Sequence, residues 1–322
     1  MDQLRHLLYH PPPRPHPWDP SRPRPDGRLT KRDSVESRSE TPDSPRSDAS
    51  GSISGAVTTQ KYIASEIKHA PERGHPNICK LLDFFEDREF YYRACVWIAV
   101  ITKLTTVVMP RFGEGVDLFD YVESKPDGLD PFEVRSLLGQ LADAVRFLHS
   151  NGIVHRDIKD ENVILDGKGR CQLIDFGSAA HWRPGKRWDT FSGTLHYASP
   201  EILRGVAYGG KEQDVWALGV VGYVLLVGET PFADLPDEVL EGLTPDSRAE
   251  RALEERCGNG HEDEGREADG GGRLEDAGDF VRRCLEMDPS ERPSSEVLCQ
   301  HRYLRGADGW TGKKGWIAKG WK

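Results

Sequence analysis

One stretch, residues 153–177 (IVHRDIKDENVILDGKGRCQLIDFG), constrains the fold of this 322-residue chain more than any other. It holds two short apolar runs, Val163–Leu165 and Cys171–Ile174, on either side of a turn at 167–169 that contains two glycines. Short apolar runs joined by a glycine-rich turn predict two antiparallel strands of a hairpin. Acidic and amide side chains stand at the ends of these runs, so we expect the hairpin to gather them.

Four polar residues of this stretch have the chemistry that phosphoryl transfer requires: Asp157, Lys159, Asn162 and Asp175. Transfer from ATP needs carboxylate and amide oxygens on Mg²⁺, and a carboxylate that receives the proton of the substrate hydroxyl. Asp157 precedes Asn162 by five positions, and Asn162 precedes Asp175 by thirteen. With that spacing, HRDIKDEN and DFG resemble the catalytic loop and the metal-binding motif of protein kinases. The alternative, an Asp and an Asn that only cap strand ends, does not explain both motifs in register.

The resemblance implies an α+β, bilobal protein-kinase fold with ATP and Mg²⁺ as cofactors. Asp157 would orient and deprotonate the substrate hydroxyl, and Lys159 would stabilise charge on the γ-phosphate, with Thr194 helping to position both. Asn162 and Asp175 would hold the Mg²⁺ ions. Lysine at position 159 is the form seen in serine/threonine kinases, so the expected substrates are Ser and Thr hydroxyls of proteins.

Longer phrases narrow the resemblance within the superfamily. HRDIKDENVILD, LIDFGSAA, FSGTLHYASPEILRG, DVWALGV and GETPF resemble the calcium/calmodulin-kinase-like group. Within it, they are most similar to the catalytic domain of PAS-domain-containing protein kinases. The likeness covers about residues 60–305 apart from two inserts, and no PAS sensor is visible in this chain. Glu161 stands where related kinases bind a basic residue of the substrate, which favours basic-directed sites.

The resemblance also predicts the nucleotide site. Met109 matches the gatekeeper, and Arg111 and Phe112 belong to the hinge, whose backbone would bind the adenine edge. Asp117 matches the acidic residue that accepts hydrogen bonds from the ribose, and Ile164 would also contact ATP. A second interpretation of Asp117 is a carboxylate at a helix N-terminus, where the helix dipole favours it, and both can hold.

Other matching positions have structural roles in the family. Glu201 is expected to form a buried ion pair with Arg292, and Asp214 to brace the backbone of the catalytic loop. Arg156 matches the arginine that can pair with a phosphorylated activation loop. The remaining structural positions are His155, Phe176 and Gly177.

The segment before the hinge departs from the family pattern. Glu66, on a predicted helix at 59–70, resembles the αC glutamate, although an ordinary surface glutamate is an alternative. No V-A-I-K precedes it, and SGSISGAV at 50–57 retains only the last glycine and the valine of the glycine-rich loop. The first three N-lobe strands are therefore predicted to be missing. The alternatives to an active kinase are accordingly a pseudokinase or scaffold, or a truncated gene model whose full product has a complete N-lobe.

The predicted organisation starts with a disordered leader at 1–58, rich in Pro, Ser and Arg, which cannot bury enough apolar surface to fold. The kinase domain follows at 59–305, and its N-lobe remnant is predicted at 59–109. Residues 93–106 interrupt an otherwise continuous strand and hinge. They are interpreted either as an insert, from a translated intron or a gene-model error, or as a genuine loop or edge strand.

The C-lobe is predicted at 113–305. It starts with a long helix within Asp130–Asn151, and after it comes an acidic, glycine-rich insert at 244–272 that we expect to be disordered. The basic Trp/Lys tail at 306–322 is interpreted as a docking tail or an undefined terminus. The apolar residues of the long helix have helical spacing and are expected in the core: Phe132, Val134, Leu137, Leu138, Leu141, Val145 and Leu148.

Composition excludes several other classes of function. The net charge of -10 disfavours nonspecific nucleic-acid binding. The apolar run Ala94–Ile101 is far shorter than the roughly 20 residues of a membrane span, so no membrane partner is expected. The six cysteines include no C-x-x-C pair, which favours reduced thiols in a cytoplasmic or nuclear protein.

Overall fold

The computed structural model describes residues 75–79, 83–85, 106–108, 110–233 and 237–305. The strands are β1 (Asp83–Phe85), β2 (Thr106–Val108), β3 (Val116–Asp117), β4 (Ile153–Val154), β5 (Val163–Leu165), β6 (Cys171–Leu173) and β7 (Ala180–His181). The α-helices are α1 (Leu118–Glu123), α2 (Pro131–Ser150), α3 (Pro200–Leu203), α4 (Gly210–Val227), α5 (Asp237–Glu241), α6 (Arg248–Cys257), α7 (Leu274–Cys284), α8 (Ser295–Leu298) and α9 (Arg302–Arg305). This is a mixed α and β architecture with small sheets, as predicted.

The hairpin predicted from the sequence is confirmed. Strands β5 and β6 pair antiparallel with Val163 opposite Leu173, and β3 adds to the other edge of β5 in the order β3-β5-β6. The turn between β5 and β6 depends on Asp166, whose Oδ1 accepts the backbone N–H groups of Lys168 (2.8 Å) and Arg170 (3.0 Å). A side-chain acceptor of this kind stabilises a tight turn locally. Gln140 of α2 adds a contact from a distant element, since its Nε2 donates to the backbone oxygen of Gly169 at 2.8 Å.

A second short ladder brackets the polar cluster. Strand β4 lies just before the HRD residues, and β7 lies just after the DFG residues. They pair antiparallel, with Ile153 opposite His181 and Val154 opposite Ala180. The two motifs are therefore held against each other from both sides.

The strands before the hinge form their own antiparallel pair, β1 with β2, with Phe84 opposite Val107. Strand β2 begins at Thr106, the last residue of the predicted insert at 93–106, so this residue belongs to the ladder. The rest of the insert lies outside the described residues, as do the leader at 1–58, Glu66 and the tail at 306–322.

Helix α2 confirms the long helix predicted from the apolar spacing. Its N-cap is Asp130, whose side chain accepts the backbone N–H of Phe132 at 2.8 Å, and Pro131 occupies the first turn. Phe132 is an exception to the predicted core because its side chain is 50% exposed. It stands in the first turn, on the side turned away from the buried stripe of α2.

Helix α4 forms the centre of the C-lobe. It is apolar on all sides, and nearly every residue from Gln213 to Leu226 is buried. Gly219 is required for this packing, since an added Cβ would lie 2.5 Å from the Cβ of Cys284 on α7. Helices α2 and α7 therefore pack closely on this central helix.

The expectation of disorder at 244–272 is wrong. Helix α6 forms inside this segment, capped by Ser247, whose hydroxyl accepts the backbone N–H of Glu250 at 3.1 Å. Its apolar residues Ala249, Leu253 and Cys257 recur every four positions and are buried. The low overall apolar content of this segment therefore hid one short amphipathic helix.

The glycine-rich part of the same segment is held by one buried arginine. Arg135 of α2 donates to Asp269 at 2.9 and 3.1 Å and pairs with Glu267 at 2.9 Å. It also donates to the backbone oxygens of Tyr303 and Leu304.

None of the described helices is long and apolar enough to span a bilayer.

Candidate active site

The strained turn in front of Asp157 is built by a buried carboxylate. Arg156 has a φ of 67°, a left-handed conformation that costs a residue with a side chain about 1–2 kcal/mol. Asp214 of α4 stabilises it, accepting the backbone N–H of His155 on Oδ2 (2.8 Å) and that of Arg156 on Oδ1 (2.7 Å). Asp214 thus braces the catalytic-loop backbone in the way that the sequence resemblance implies.

Asp214 is itself held in place by residues of two other helices. His149 of α2 donates from Nε2 to Asp214 Oδ2 at 2.9 Å, and its Nδ1 bonds the hydroxyl of Ser295 on α8 at 2.9 Å. Three helices of the C-lobe therefore converge on one carboxylate, and through it on the turn that orients Asp157.

Three of the predicted site residues are in direct contact. Thr194 donates from its hydroxyl to Asp157 Oδ1 at 3.2 Å. Asn162 donates from Nδ2 to the backbone oxygen of Asp157 at 2.8 Å and to its Oδ2 at 3.3 Å. Both carboxylate oxygens of Asp157 are thus oriented by neighbours, while the side chain remains partly exposed.

Asp175 is aligned with Asn162 through the backbone. The N–H of Ile174 donates to the backbone oxygen of Asn162 at 2.9 Å, and His155 Nε2 bonds the oxygen of Ile174 at 3.0 Å. Asp175 has a φ of 59°, and its Oδ1 accepts the N–H of Gly177 at 3.2 Å. The ring of Phe176 packs edge-on against His155, with centroids 4.8 Å apart.

Asn162 and Asp175 supply the ligand chemistry that a hard divalent cation prefers. The Nδ2 of Asn162 is engaged by Asp157, so its Oδ1 and the carboxylate of Asp175 would be the atoms that hold such a cation. Within the described ranges there is no group of three or more His, Cys, Asp or Glu side chains that could hold a metal. A two-residue site is what Mg²⁺ uses when nucleotide phosphates and water complete its coordination shell.

Lys159 and Glu161 face each other on the open side of the loop. Lys159 Nζ lies 3.6 Å from Glu161 Oε2, and the side chains are 17% and 44% exposed. The ammonium group therefore has one weak carboxylate partner and remains accessible. Glu161 is the more exposed of the two and faces solvent at the rim of the site.

Between them in the sequence, Asp160 is buried. Burial raises the pKa of Asp160, the hydrogen bond from Tyr197 opposes this rise and the neighbouring Glu161 adds to it, so that the pKa is about 6. Tyr197 donates from its hydroxyl to Asp160 Oδ1 at 2.6 Å. Burial and this carboxylate together raise the pKa of Tyr197, so the phenol stays protonated and acts as the donor.

The hinge passes very close to the β5–β6 hairpin. Gly113 has a φ of +57°, and a Cβ there would lie 2.4 Å from Asp166 Cα and 2.7 Å from the backbone oxygen of Leu165. Only glycine permits this approach. The guanidinium of Arg170 lies 5.7 Å from the centre of the Phe112 ring, which joins the same two elements.

Three other residues of the predicted nucleotide site lie along this edge: Arg111, Asp117 and Ile164. Asp117 is the N-cap of α1 and accepts the N–H of Asp120 at 2.8 Å; burial raises the pKa of its carboxyl although this hydrogen bond lowers it. Ile164 is its ladder partner on β5. Arg111 is exposed and donates to the backbone oxygen of Glu114 at 3.1 Å. Met109 and the αC candidate Glu66 lie outside the described residues.

Arg156 is satisfied by aromatic and backbone groups. Its guanidinium donates to the hydroxyl of Tyr208 at 2.8 and 3.1 Å and to the backbone oxygen of Thr190 at 3.0 Å. It also lies over the ring of Trp188, 5.1 Å from its centre. Trp188 and Tyr208 exchange backbone hydrogen bonds of 2.9 Å, which holds this part of the activation segment (residues 178–201) against the C-lobe.

The ion pair expected between Glu201 and Arg292 is present in the structure. Arg292 donates to the two carboxylate oxygens at 3.0 and 3.3 Å, and also to the backbone oxygens of Glu212 and Glu286. Both side chains are buried. The pair joins the end of the activation segment to the segment between α7 and α8.

Sequence reasoning missed two residues that contact this region. Gln213, next to the brace Asp214, donates to the backbone oxygen of Tyr197 and accepts the N–H of Ser199. The catalytic-loop motif by itself gives Asp160 no separate role. A usable signal was present for Gln213, because an amide inside an otherwise apolar buried helix requires polar partners.

Comparisons with known proteins agree with the geometry. The family model described as "Protein kinase domain" matches residues 52–304, beginning seven positions before the domain start predicted at 59. The chain is 45% identical over 253 residues, 78% of its length, to serine/threonine-protein kinase PSK2 of Saccharomyces cerevisiae. It is 47% identical over 167 residues (52% of the chain) to serine/threonine-protein kinase ppk6 of Schizosaccharomyces pombe.

A third relative is the PAS domain-containing serine/threonine-protein kinase of Mus musculus, 40% identical over 189 residues, 59% of the chain. The resemblance proposed from the motifs is thereby confirmed. The matched parts amount to 19% of PSK2, 19% of ppk6 and 12% of the mouse protein, so the chain spans about a fifth or less of each relative.

Proposed function

Since the chain belongs to the protein kinase family, we propose that it transfers the γ-phosphate of ATP to Ser and Thr hydroxyls of protein substrates. The observation that carries this proposal is the contact between Asp157, Asn162 and Thr194. It presents an oriented carboxylate, an amide ligand and a hydroxyl in one place, as in-line phosphoryl transfer requires.

In the proposed reaction, the substrate hydroxyl donates its proton to Asp157 as its oxygen forms a bond to the γ-phosphorus. The bond from the γ-phosphorus to the bridging oxygen breaks, and ADP leaves with the electron pair. Mg²⁺, when bound, neutralises phosphate charge. Asn162 and Asp175 would hold it, and Lys159, accessible beside Glu161, would stabilise charge on the transferred group.

The proposed nucleotide site is the edge formed by the hinge and the hairpin. Backbone groups at 109–112, with Met109, Arg111 and Phe112, would receive the adenine, Asp117 the ribose, and Ile164 would lie beneath the base. The close approach of Gly113 to Asp166 supports this placement, since it fixes the hinge at a set height above β5.

Glu161 supports a preference for substrates with a basic residue near the acceptor. Its carboxylate is exposed and only weakly paired. A substrate arginine could displace Lys159 from it, and a bidentate pair would reward the exchange. Peptides with and without an arginine before the acceptor serine test this: equal kcat/KM for both would refute the preference.

We further propose that the N-lobe lacks its first three strands, with Glu66 as the αC glutamate and no lysine of a V-A-I-K strand to pair with it. The support is sequence alone, because no V-A-I-K or complete glycine-rich loop precedes Glu66. Loss of such an electrostatic clamp costs on the order of 10²–10³ in rate. This feature is what keeps a pseudokinase or scaffold function as the second candidate.

One experiment separates the two candidates. The full 322-residue chain is incubated with Mg-ATP and a serine peptide, and phosphopeptide is quantified by mass spectrometry alongside Asp157→Asn and the exposed control Asp246→Asn. An active kinase forms phosphopeptide that Asp157→Asn reduces by about 10²-fold or more, while Asp246→Asn does not. Product that is absent, or equal in all three, overturns the kinase proposal and leaves the scaffold.

A further inference from the structure

The segment from Thr194 to Ser199 lies beside the reacting atoms. The hydroxyl of Thr194 reaches Asp157 Oδ1 at 3.2 Å. A protein substrate whose hydroxyl meets Asp157 must therefore run past this segment. Its own structure is weak, because one short turn closed by two backbone hydrogen bonds, Tyr197 to Thr194 and Ala198 to Leu195, is followed by a proline. It needs side chains from elsewhere to hold it.

Gln213 of α4 supplies the first of these. Its Nε2 donates to the backbone oxygen of Tyr197 at 2.8 Å, and its Oε1 accepts the backbone N–H of Ser199 at 3.0 Å. The side chain is 1% exposed, so the two backbone groups have no water to replace it. Only an amide can donate and accept at once from this position. A carboxylate would oppose the carbonyl, and an apolar side chain would leave both groups unpaired.

Asp160, in the catalytic loop, supplies the second side chain that holds the segment. The hydroxyl of Tyr197 donates to Asp160 Oδ1 at 2.6 Å, and the same oxygen accepts the backbone N–H of Glu161 at 3.0 Å. Both side chains are buried. The backbone and the side chain of Tyr197 are thus held from two directions, by the central helix and by the loop that carries Asp157.

We propose that Gln213 and Asp160 are positioning residues for the protein substrate, fixing residues 197–199 in register with Asp157. This rests on the proposed kinase function. Neither residue touches the reacting atoms, and the hydrogen bonds described above join them to residues 197–199 rather than to the hinge residues. Their loss therefore affects the peptide more than ATP. Gln213 lies next to the brace Asp214, so one helical turn of α4 aligns both the catalytic loop and the surface along which the substrate passes.

The test uses Gln213→Leu and Tyr197→Phe in the full chain. Tyr197→Phe deletes only the hydroxyl and keeps the ring, so it serves even where Gln213→Leu fails to fold. The matched control is Tyr223→Phe. Tyr223 is buried like Tyr197 and lies on α4 like Gln213, and its hydroxyl donates to the backbone oxygen of Ala249 at 3.2 Å, away from the catalytic loop. Peptide kcat/KM, the KM for ATP and amide hydrogen exchange over 194–203 are measured for each.

We expect peptide kcat/KM to fall about tenfold in both variants, which corresponds to about 1.4 kcal/mol. The KM for ATP stays within about twofold, amide exchange over 194–203 accelerates, and Tyr223→Phe matches the wild type. Unchanged peptide kinetics and exchange, or equal losses for peptide and ATP, overturn the proposal. If the wild-type chain makes no phosphopeptide, the kinase function fails instead, and the exchange rates alone then decide whether Gln213 and Asp160 hold the segment.

Discussion

Replacing Asp214 with asparagine tests how the C-lobe holds the catalytic loop. Its two carboxylate oxygens accept three hydrogen bonds, from the backbone N–H groups of His155 and Arg156 and from His149, and the side chain is fully buried. Asparagine keeps the size but puts an NH₂ group where one acceptor was. In either orientation this donor faces another donor.

The expected loss follows from these contacts. A hydrogen bond to a charged group contributes about 1.5–3 kcal/mol, and a buried donor left unpaired costs about 1–3 kcal/mol. The left-handed turn at Arg156, which costs about 1–2 kcal/mol, also loses its support. We expect Asp214→Asn to lower the free energy of unfolding by about 3–5 kcal/mol, the range seen when a buried charged pair is broken. For a domain of this size that is a fall in Tm of about 6–20 °C.

The control is Asp276→Asn, another buried aspartate with a different environment. Its carboxylate meets Arg302, whose side chain is 61% exposed, at 2.5 Å, and burial raises its pKa, which the nearby arginines only partly offset. We expect a change below about 1 kcal/mol there. Urea and thermal unfolding of both variants, with peptide kcat, provide the readout. An Asp214→Asn protein as stable and active as Asp276→Asn would refute the bracing role of Asp214.

Three further changes have expected outcomes. Gly113→Ala should cost about 2 kcal/mol in unfolding and raise the KM for ATP, because its Cβ meets Asp166; Gly115→Ala, at φ +84° with open space around it, should cost about 1 kcal/mol and leave that KM unchanged. Arg135→Met should destabilise the chain by about 3 kcal/mol and expose residues 258–272 to limited proteolysis, whereas equal protease resistance would contradict the anchoring role. Burial would raise the pKa of Asp143, but hydrogen bonds from His75 and Arg146 hold it below the ordinary value. The contribution of the Asp143 carboxylate to the stability of the fold is therefore present above about pH 4 and is lost as pH falls. The stability difference between wild type and Asp143→Asn, measured by urea unfolding from pH 7 to pH 3, should therefore shrink toward acid; a constant difference would rule this out.

The pattern of apolar, turn and capping residues along the chain was sufficient to predict the elements on which the site is built. The β5–β6 hairpin follows from two apolar runs and an Asp-Gly-Lys-Gly turn in which the hydrogen bonds accepted by the Asp166 side chain come from within four residues. The cap and the apolar repeat of α2 are equally local. The same reasoning failed for 244–272, because composition averaged over that segment hid the spacing of three apolar residues in α6.

The sequence by itself determined the family, the hairpin, the long helix and the identity of the residues that meet at Asp157. Motif spacing and hydrophobic period depend only on residues a few positions apart, so a single chain carries them in readable form. Only the tertiary structure decided which groups hold the site: Tyr197 bonds Asp160 across 37 residues, Arg156 bonds Tyr208 across 52, and Arg135 bonds Asp269 across 134. These choices depend on which elements pack against one another, since a buried polar group takes whichever partner the packing brings within about 3 Å.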